Sequence, residues 1–226
     1  MSEKRRLAVI AIDGPAGAGK STIAKRLAQR LGFTYIDTGA MYRSVALWAQ
    51  RQNVSPTDMH RMEQLAQAAS IELEPGGSRV LLNGEDVTAA IRTPEVGPAA
   101  SSAATIPGVR RALVEKQRAM AASASVVMEG RDIGSVVFPN ADVKIFLDAD
   151  HGERVRRRLA ESEGPAETIA EQLKQRDDQD RGRAESPLVQ APDAVYIDST
   201  GLGPDEVEEA ILKVIRAKLS NGKGFA

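Results

Sequence analysis

Short apolar runs alternate along this chain with longer stretches in which apolar residues return every three or four positions. The runs Leu7 to Asp13, Thr34 to Asp37, Ser125 to Glu129, Val143 to Leu147 and Val195 to Asp198 read as strands. Runs of this kind are buried on both faces, as in a parallel sheet covered by helices. The helical period is clearest from Lys20 to Leu31, where Ile23, Leu27 and Leu31 share a face. It returns from Gly201 to Leu219 with Val207, Ile211, Val214, Ile215 and Leu219. Met41 to Gln52 reads as a further helix carrying Arg43. Strands alternating with helices predict an α/β fold around a five-stranded parallel sheet.

Two segments break the rhythm. Ile71-Glu-Leu-Glu and Arg79-Val-Leu-Leu flank Pro75-Gly-Gly, and the turn dipeptide Asn83-Gly84 follows, so a small antiparallel insertion is expected there. Thr93-Pro94-Glu95 then looks like a cap, a first-turn proline and an early acid, opening a helix through Ala104. From Gly152 to Arg183, eight basic and eight acidic residues alternate with little apolar content. Such a run is either a solvated helical pair or a lid whose arginines close over phosphates. The expected division is a core of 1–65, 99–151 and 184–226, an insertion at 66–98 and a lid at 152–183.

Composition removes several function classes. Lys plus Arg number 30 against 31 Asp plus Glu, which favours neither nucleic acid nor a membrane surface as partner. Cysteine is absent and only His60 and His151 offer imidazole, so thiol catalysis, a histidine-rich metal site and a Ser-His-Asp triad are not expected. No apolar stretch is long enough to span a bilayer, and the opening Met-Ser-Glu-Lys-Arg-Arg lacks the apolar segment of a signal peptide. A cytoplasmic protein is expected. Of the basic residues, 21 are arginine, the side chain suited to bidentate phosphate recognition.

Residues 14–21 concentrate the chemistry. Gly14-Pro15-Ala16-Gly17-Ala18-Gly19-Lys20-Ser21 is a complete phosphate-binding loop, placed between a strand and a helix as such loops are. Its backbone N–H groups would cradle phosphate at the positive end of the following helix. In such loops the lysine, here Lys20, reaches the β/γ-phosphates and the hydroxyl of Ser21 holds Mg²⁺.

Many protein classes share the loop, and the remaining motifs narrow them. None of the four asparagines begins the Asn-Lys-x-Asp that reads guanine, and Leu147-Asp148 and Ile197-Asp198 are imperfect versions of a motor ATPase's acidic strand end. Arginines after strands take their place: Arg43, Arg131, and Arg176, Arg181 and Arg183. Ligands of open parallel sheets bind beyond the carboxyl ends of the strands, which puts Arg43 and Arg131 with the loop. Several cations facing one phosphate loop suit transfer between two phosphorylated substrates, where alignment and charge neutralisation do most of the work. Lys20, Arg43, Arg131 and Arg181 are the cations expected at the reacting centre.

Ile12-Asp-Gly-Pro-Ala-Gly-Ala-Gly-Lys-Ser-Thr22, Asp37-Thr-Gly-Ala-Met-Tyr-Arg43, Ile91-Arg-Thr-Pro-Glu-Val96, Glu129-Gly-Arg-Asp-Ile-Gly-Ser-Val-Val-Phe-Pro-Asn-Ala141, Lys144-Ile-Phe-Leu-Asp-Ala149 and Arg176-Asp-Asp-Gln-Asp-Arg181 together resemble the bacterial cytidylate kinase family. The likeness runs from about Leu7 to Leu219. It implies the reaction of ATP with CMP or dCMP to give ADP and CDP or dCDP, with Mg²⁺, on a P-loop core with a helical lid and an enlarged acceptor insertion; the family leans to monomers. By motif, Arg43 and Arg131 would grip the CMP phosphate with Thr38 close by, and Ser101, Arg110 and Asp132 would read cytosine. Asp180 would bind the sugar hydroxyls between Arg176 and Arg183. One or more of Arg154, Arg157 and Arg158 would contact ATP, and Arg157 is adopted among them. Many relatives have glycine where Ser21 stands, so Ser21 and Thr22 are both candidate Mg²⁺ ligands. Glu129 stands where other members have aspartate. The alternatives are a small kinase for UMP, AMP or a non-nucleotide acceptor, and a nucleotide-switched binding module.

Overall fold

The computed structural model describes residues 7–161 and 164–220. Residues 1–6, 162–163 and 221–226, which the expected boundaries include, lie outside the described residues. Five parallel strands form the main sheet in the order β2-β6-β1-β7-β8: β1 Val9–Asp13, β2 Thr34–Asp37, β6 Val126–Gly130, β7 Val143–Asp148 and β8 Val195–Asp198. The central strand sorts its side chains by the period of two. Ile10 and Ile12 face a core shared with α1 (Lys20–Leu31) and α8 (Pro204–Ser220), while Ala11 faces the opposite core with Met128, Ile133 and Val114. Fully burying one such isoleucine contributes about 1.5–3 kcal/mol, so the two cores fix the strand's register.

A separate core lies off the sheet. It joins α2 (Thr38–Arg51), α3 (Met59–Ala68), α4 (Val96–Ala103) and α5 (Pro107–Met120) to an antiparallel sheet of β3 (Ile71–Leu73), β4 (Val80–Leu82) and β5 (Glu85–Asp86). Asn83 and Gly84 both have positive φ, 52° and 84°, in the two-residue turn between β4 and β5. That is the backbone a tight hairpin demands and the reason for Asn-Gly there.

Two helix starts differ from expectation, and two helices lie where none is expected. Helix α2 begins at Thr38 and not Met41, because the Asp37 carboxylate accepts from the Ala40 N–H at 2.8 Å and caps it. Thr93 does not cap α4: it closes a 3-10 turn at Ala90–Arg92, and α4 starts at Val96 without a side-chain cap. Helices α3 and α5 occupy stretches in which no element is expected from the apolar period alone. The charged segment forms α6 (His151–Glu161) and α7 (Ala166–Arg181), and Val155, Ile169 and Leu173 pack on Ala16 of the phosphate loop. No helix among the described residues is long and apolar enough to cross a membrane.

Candidate active site

The loop after β1 runs under the ends of the strands. At Gly14 φ is +148°, and a Cβ there would lie 1.9 Å from the Leu147 carbonyl oxygen, so only glycine lets the chain pass. Gly19, with φ +90°, is the N-cap of α1 and supplies no side-chain cap. The first N–H groups of that helix are thus left to an anion. Pro15, Ala16, Gly17 and Ala18 form the curve between them, and Arg154 and Arg157 of α6 donate to the Ala16 and Ala18 carbonyls at 3.1 and 3.2 Å.

Lys20 is buried and donates to the Pro15 carbonyl at 2.6 Å. Burial, with the charges of Arg131 and Arg176, pulls its ammonium down to about 7 from the ordinary 10.5, against the pull of Glu129 and Asp180. Ser21 and Thr22 are exposed at the start of α1, and the Ser21 hydroxyl hydrogen-bonds to Tyr35 and Glu129. Tyr35 also donates to Glu129, whose carboxyl is pushed up by burial and by the nearby Asp37. No three His, Asp or Glu side chains among the described residues group to hold a metal by themselves. The Ser21 hydroxyl, on an exposed residue and beside a carboxylate, fits Mg²⁺ that arrives with phosphates, which is how that ion is usually held.

Across from the loop lies a cluster of arginines and acids drawn from five segments. Arg43 of α2 pairs with Asp37 at 2.9 Å. Arg131, just past β6, pairs with Asp180 of α7 at 2.7 Å, and Arg183 binds the other oxygen of Asp180. Arg110 of α5 forms a buried pair with Asp132 and lies over the Tyr42 ring, 5.6 Å from its centre. Thr38 is buried and donates to the Glu129 carbonyl at 2.7 Å; Ser101 is buried on α4, which packs on α2 and α7. The Nε atoms of Arg43, Arg110, Arg176 and Arg183 are all buried without a partner. Burial and the charges of Arg131, Arg43 and Arg158 bring Arg176 down to about 10. Crowded guanidinium groups with unused N–H donors are an anion site.

Arg181 departs from expectation. It is exposed on α7 and makes no described hydrogen bond or ion pair, while Arg176, Asp177, Asp180 and Arg183 turn inward. The helical period puts it on the outer face. The three lid arginines separate as well. Arg154 is buried, reaching Ala149 O, Ala16 O and Asp177. Arg157 joins Ala18 to Ser199 beyond β8, and Arg158 is half exposed beside Glu161. Sequence reasoning missed Asp13, Tyr42, Asp177 and Ser199. A carboxylate ending a buried strand, as Asp13 does, was the one signal available for them.

A phosphate loop facing a second, arginine-built anion site defines a P-loop kinase of the nucleoside monophosphate type. The family model for cytidylate kinase matches residues 10–217, and the chain belongs to that family. It is 64% identical to a cytidylate kinase of Solibacter usitatus, covering 99% of this chain and 98% of the relative. It is 47% identical to a cytidylate kinase of Symbiobacterium thermophilum, covering 96% and 99%. Among solved structures, an uncharacterized protein from Eubacterium ventriosum aligns over 92% of this chain and 98% of its own, with a TM-score of 0.54 at 13% identity, a likeness of fold alone.

Proposed function

We propose that this enzyme transfers the γ-phosphoryl group of ATP to CMP or dCMP, directly and in line. The observation that carries the choice of acceptor is the buried Arg110–Asp132 pair against the Tyr42 ring, next to three further guanidinium groups with unused donors, those of Arg43, Arg176 and Arg183. Those guanidiniums, with Arg131, suit the acceptor phosphate, and the pair suits cytosine. Cytosine offers an N4 amine that the Asp132 carboxylate accepts, while N3 and O2 accept from Arg110 or the Ser101 hydroxyl. Uracil places a carbonyl oxygen against that carboxylate and loses about 1–3 kcal/mol of discrimination per such contact. Asp180, held between Arg131 and Arg183, takes the sugar hydroxyls.

A phosphate nucleophile is already largely ionised at neutral pH, its second pKa being about 6, so no general base is required. The protein's task is alignment and charge. Lys20 gains its proton as ATP phosphates enter and then lies against the moving group, with Arg131 and Arg176 on the acceptor side. Ser21, with Thr22 as the second candidate, would hold Mg²⁺ together with the nucleotide phosphates, and the ion supplies further charge neutralisation there. Arg157, spanning Ala18 and Ser199, is the lid arginine best placed for ATP. Packing of α6 and α7 on the loop keeps water from the reacting oxygens. We assign residues 66–98 to the insertion that packs on the acceptor side, whose contacts to substrate come from neighbouring segments, and 152–183 to the lid, in a cytoplasmic monomer.

An ADP-coupled assay with Mg-ATP against CMP, dCMP, UMP and AMP tests the reading, with CMP and dCMP expected to dominate. Asp132→Ala should lower kcat/KM for CMP by about 10–100-fold while ATP affinity changes little. Undiminished CMP turnover would remove Asp132 from base reading.

A further inference from the structure

The segment that carries Arg131 and Asp132 is short and has no regular strand or α-helix of its own. It leaves β6 at Gly130, which pairs in register with Asp13, and winds at once into a π-helical turn at Ile133–Val137. Asp132 provides no side-chain cap for that turn. The two leading N–H groups go elsewhere: Ile133 donates to one oxygen of the Asp13 carboxylate at 2.8 Å, and Gly134 donates to the other at 2.7 Å. Asp13 is also the residue from which the chain turns into the phosphate loop at Gly14.

We infer that Asp13 is a positioning residue for the acceptor, clamping the segment that bears Arg131 and Asp132 to the strand that opens into the phosphate loop. The inference rests on the proposed role of that segment in holding CMP. A carboxylate suits the task because two converging N–H donors need two acceptors. Asparagine offers one oxygen and turns an amide N–H against the second donor. The residue is 6% exposed, and Gly134 leaves room for it: a Cβ there would meet the Lys144 stem at 3.1 Å and Asp13 at 3.3 Å. Lys20 and Asp132 are the charges acting on Asp13, one from each half of the site.

Burial raises the Asp13 carboxyl to about 6, against the lowering effect of the two N–H bonds. The folded value lies above the ordinary 3.8, so its stabilising contribution is present at low pH and is lost as pH rises through 6.

The test compares wild type with Asp13→Asn and Asp13→Ala by steady-state kinetics, thermal melting and amide hydrogen exchange near neutral pH. For Asp13→Asn the KM for CMP should rise about tenfold or more while the KM for ATP stays within about twofold, as expected for loss of a charge-assisted bond. Exchange at Ile133 and Gly134 should quicken in both variants. An unchanged KM for CMP with unchanged exchange overturns the inference. So does a parallel rise in both KM values with a lowered melting temperature, or failure of both variants to fold. Absence of CMP turnover in the wild type would instead sink the proposed function, while the exchange result still reports on the clamp.

Discussion

The phosphate loop works with backbone: between Gly14 and Lys20 the chain offers peptide N–H groups, two left-handed glycines, Gly17 and Gly19, and a helix end, with one charged side chain among them. The acceptor cluster facing it works with side chains, Arg43, Arg110, Arg131, Arg176 and Arg183, carried by segments separated by up to 140 residues (183 − 43) and steadied by Asp37, Asp132 and Asp180. Backbone donors are fixed as soon as the turn forms. Side-chain donors must be held, and each needs a counter-charge until substrate arrives. On the proposed assignment, the donor half is fixed by backbone, whereas the acceptor half is assembled by packing and carries the choice of substrate.

The donor half accordingly has a single side chain whose loss is severe. Lys20→Ala should cut kcat by about 10²–10³-fold, the magnitude for removing one preorganised charge from a developing transition state, and should leave CMP affinity nearly unchanged. Isothermal titration with CMP and a coupled assay check both statements. Equal losses in CMP binding would mean the two halves are not separable.

The second test reads Lys20 through its proton. Its value of about 7 in the free protein lies below the ordinary 10.5, so the stability gained from the neutral amine is full above about 10.5 and is lost progressively as pH falls to about 7. Phosphates reverse the field. At about pH 8, where the free amine is mostly neutral, ATP binding should take up close to one proton, seen as a dependence of the binding enthalpy on buffer ionisation. Lys20→Met should abolish the uptake. Uptake that survives that substitution would move the proton to another group and weaken the picture of a desolvated donor half.

The same contrast explains what the sequence makes legible. A contiguous loop between a strand and a helix needs no topology to be read, and the central strands announce themselves because neighbours such as Ile10 and Ala11, or Val127 and Met128, are buried on opposite faces, whereas edge strand β8 is half exposed. The off-sheet core was harder. Helix α5 buries Arg110 and Gln117 beside Val109, Leu113 and Val114, so polar residues interrupt its apolar face and blur the period. Charge misleads in α6 and α7, where Arg154 and Asp177 look solvated in the sequence but form a buried pair 2.6 Å apart against the phosphate loop. Which arginines of a charged helix turn inward depends on what the helix packs against, and only the fold supplies that.

Arg176 and Arg181 turn this point into the last and smallest prediction. They lie five residues apart on one helix, a separation that rotates the second side chain about 140° from the first. Arg176 points to the guanidinium cluster with an unused buried Nε, and Arg181 points to solvent. Arg176→Ala should therefore raise the KM for CMP about tenfold or more, by the loss of a charge-assisted contact. Arg181→Ala should change kcat/KM less than about twofold and stability within about 0.5 kcal/mol, as surface substitutions do. Steady-state kinetics and thermal melting of the two variants side by side decide it. Equal losses would mean that α7 rotates or unwinds at its end when substrates bind, bringing Arg181 inward, and that the acceptor half is assembled by ligand as much as by packing.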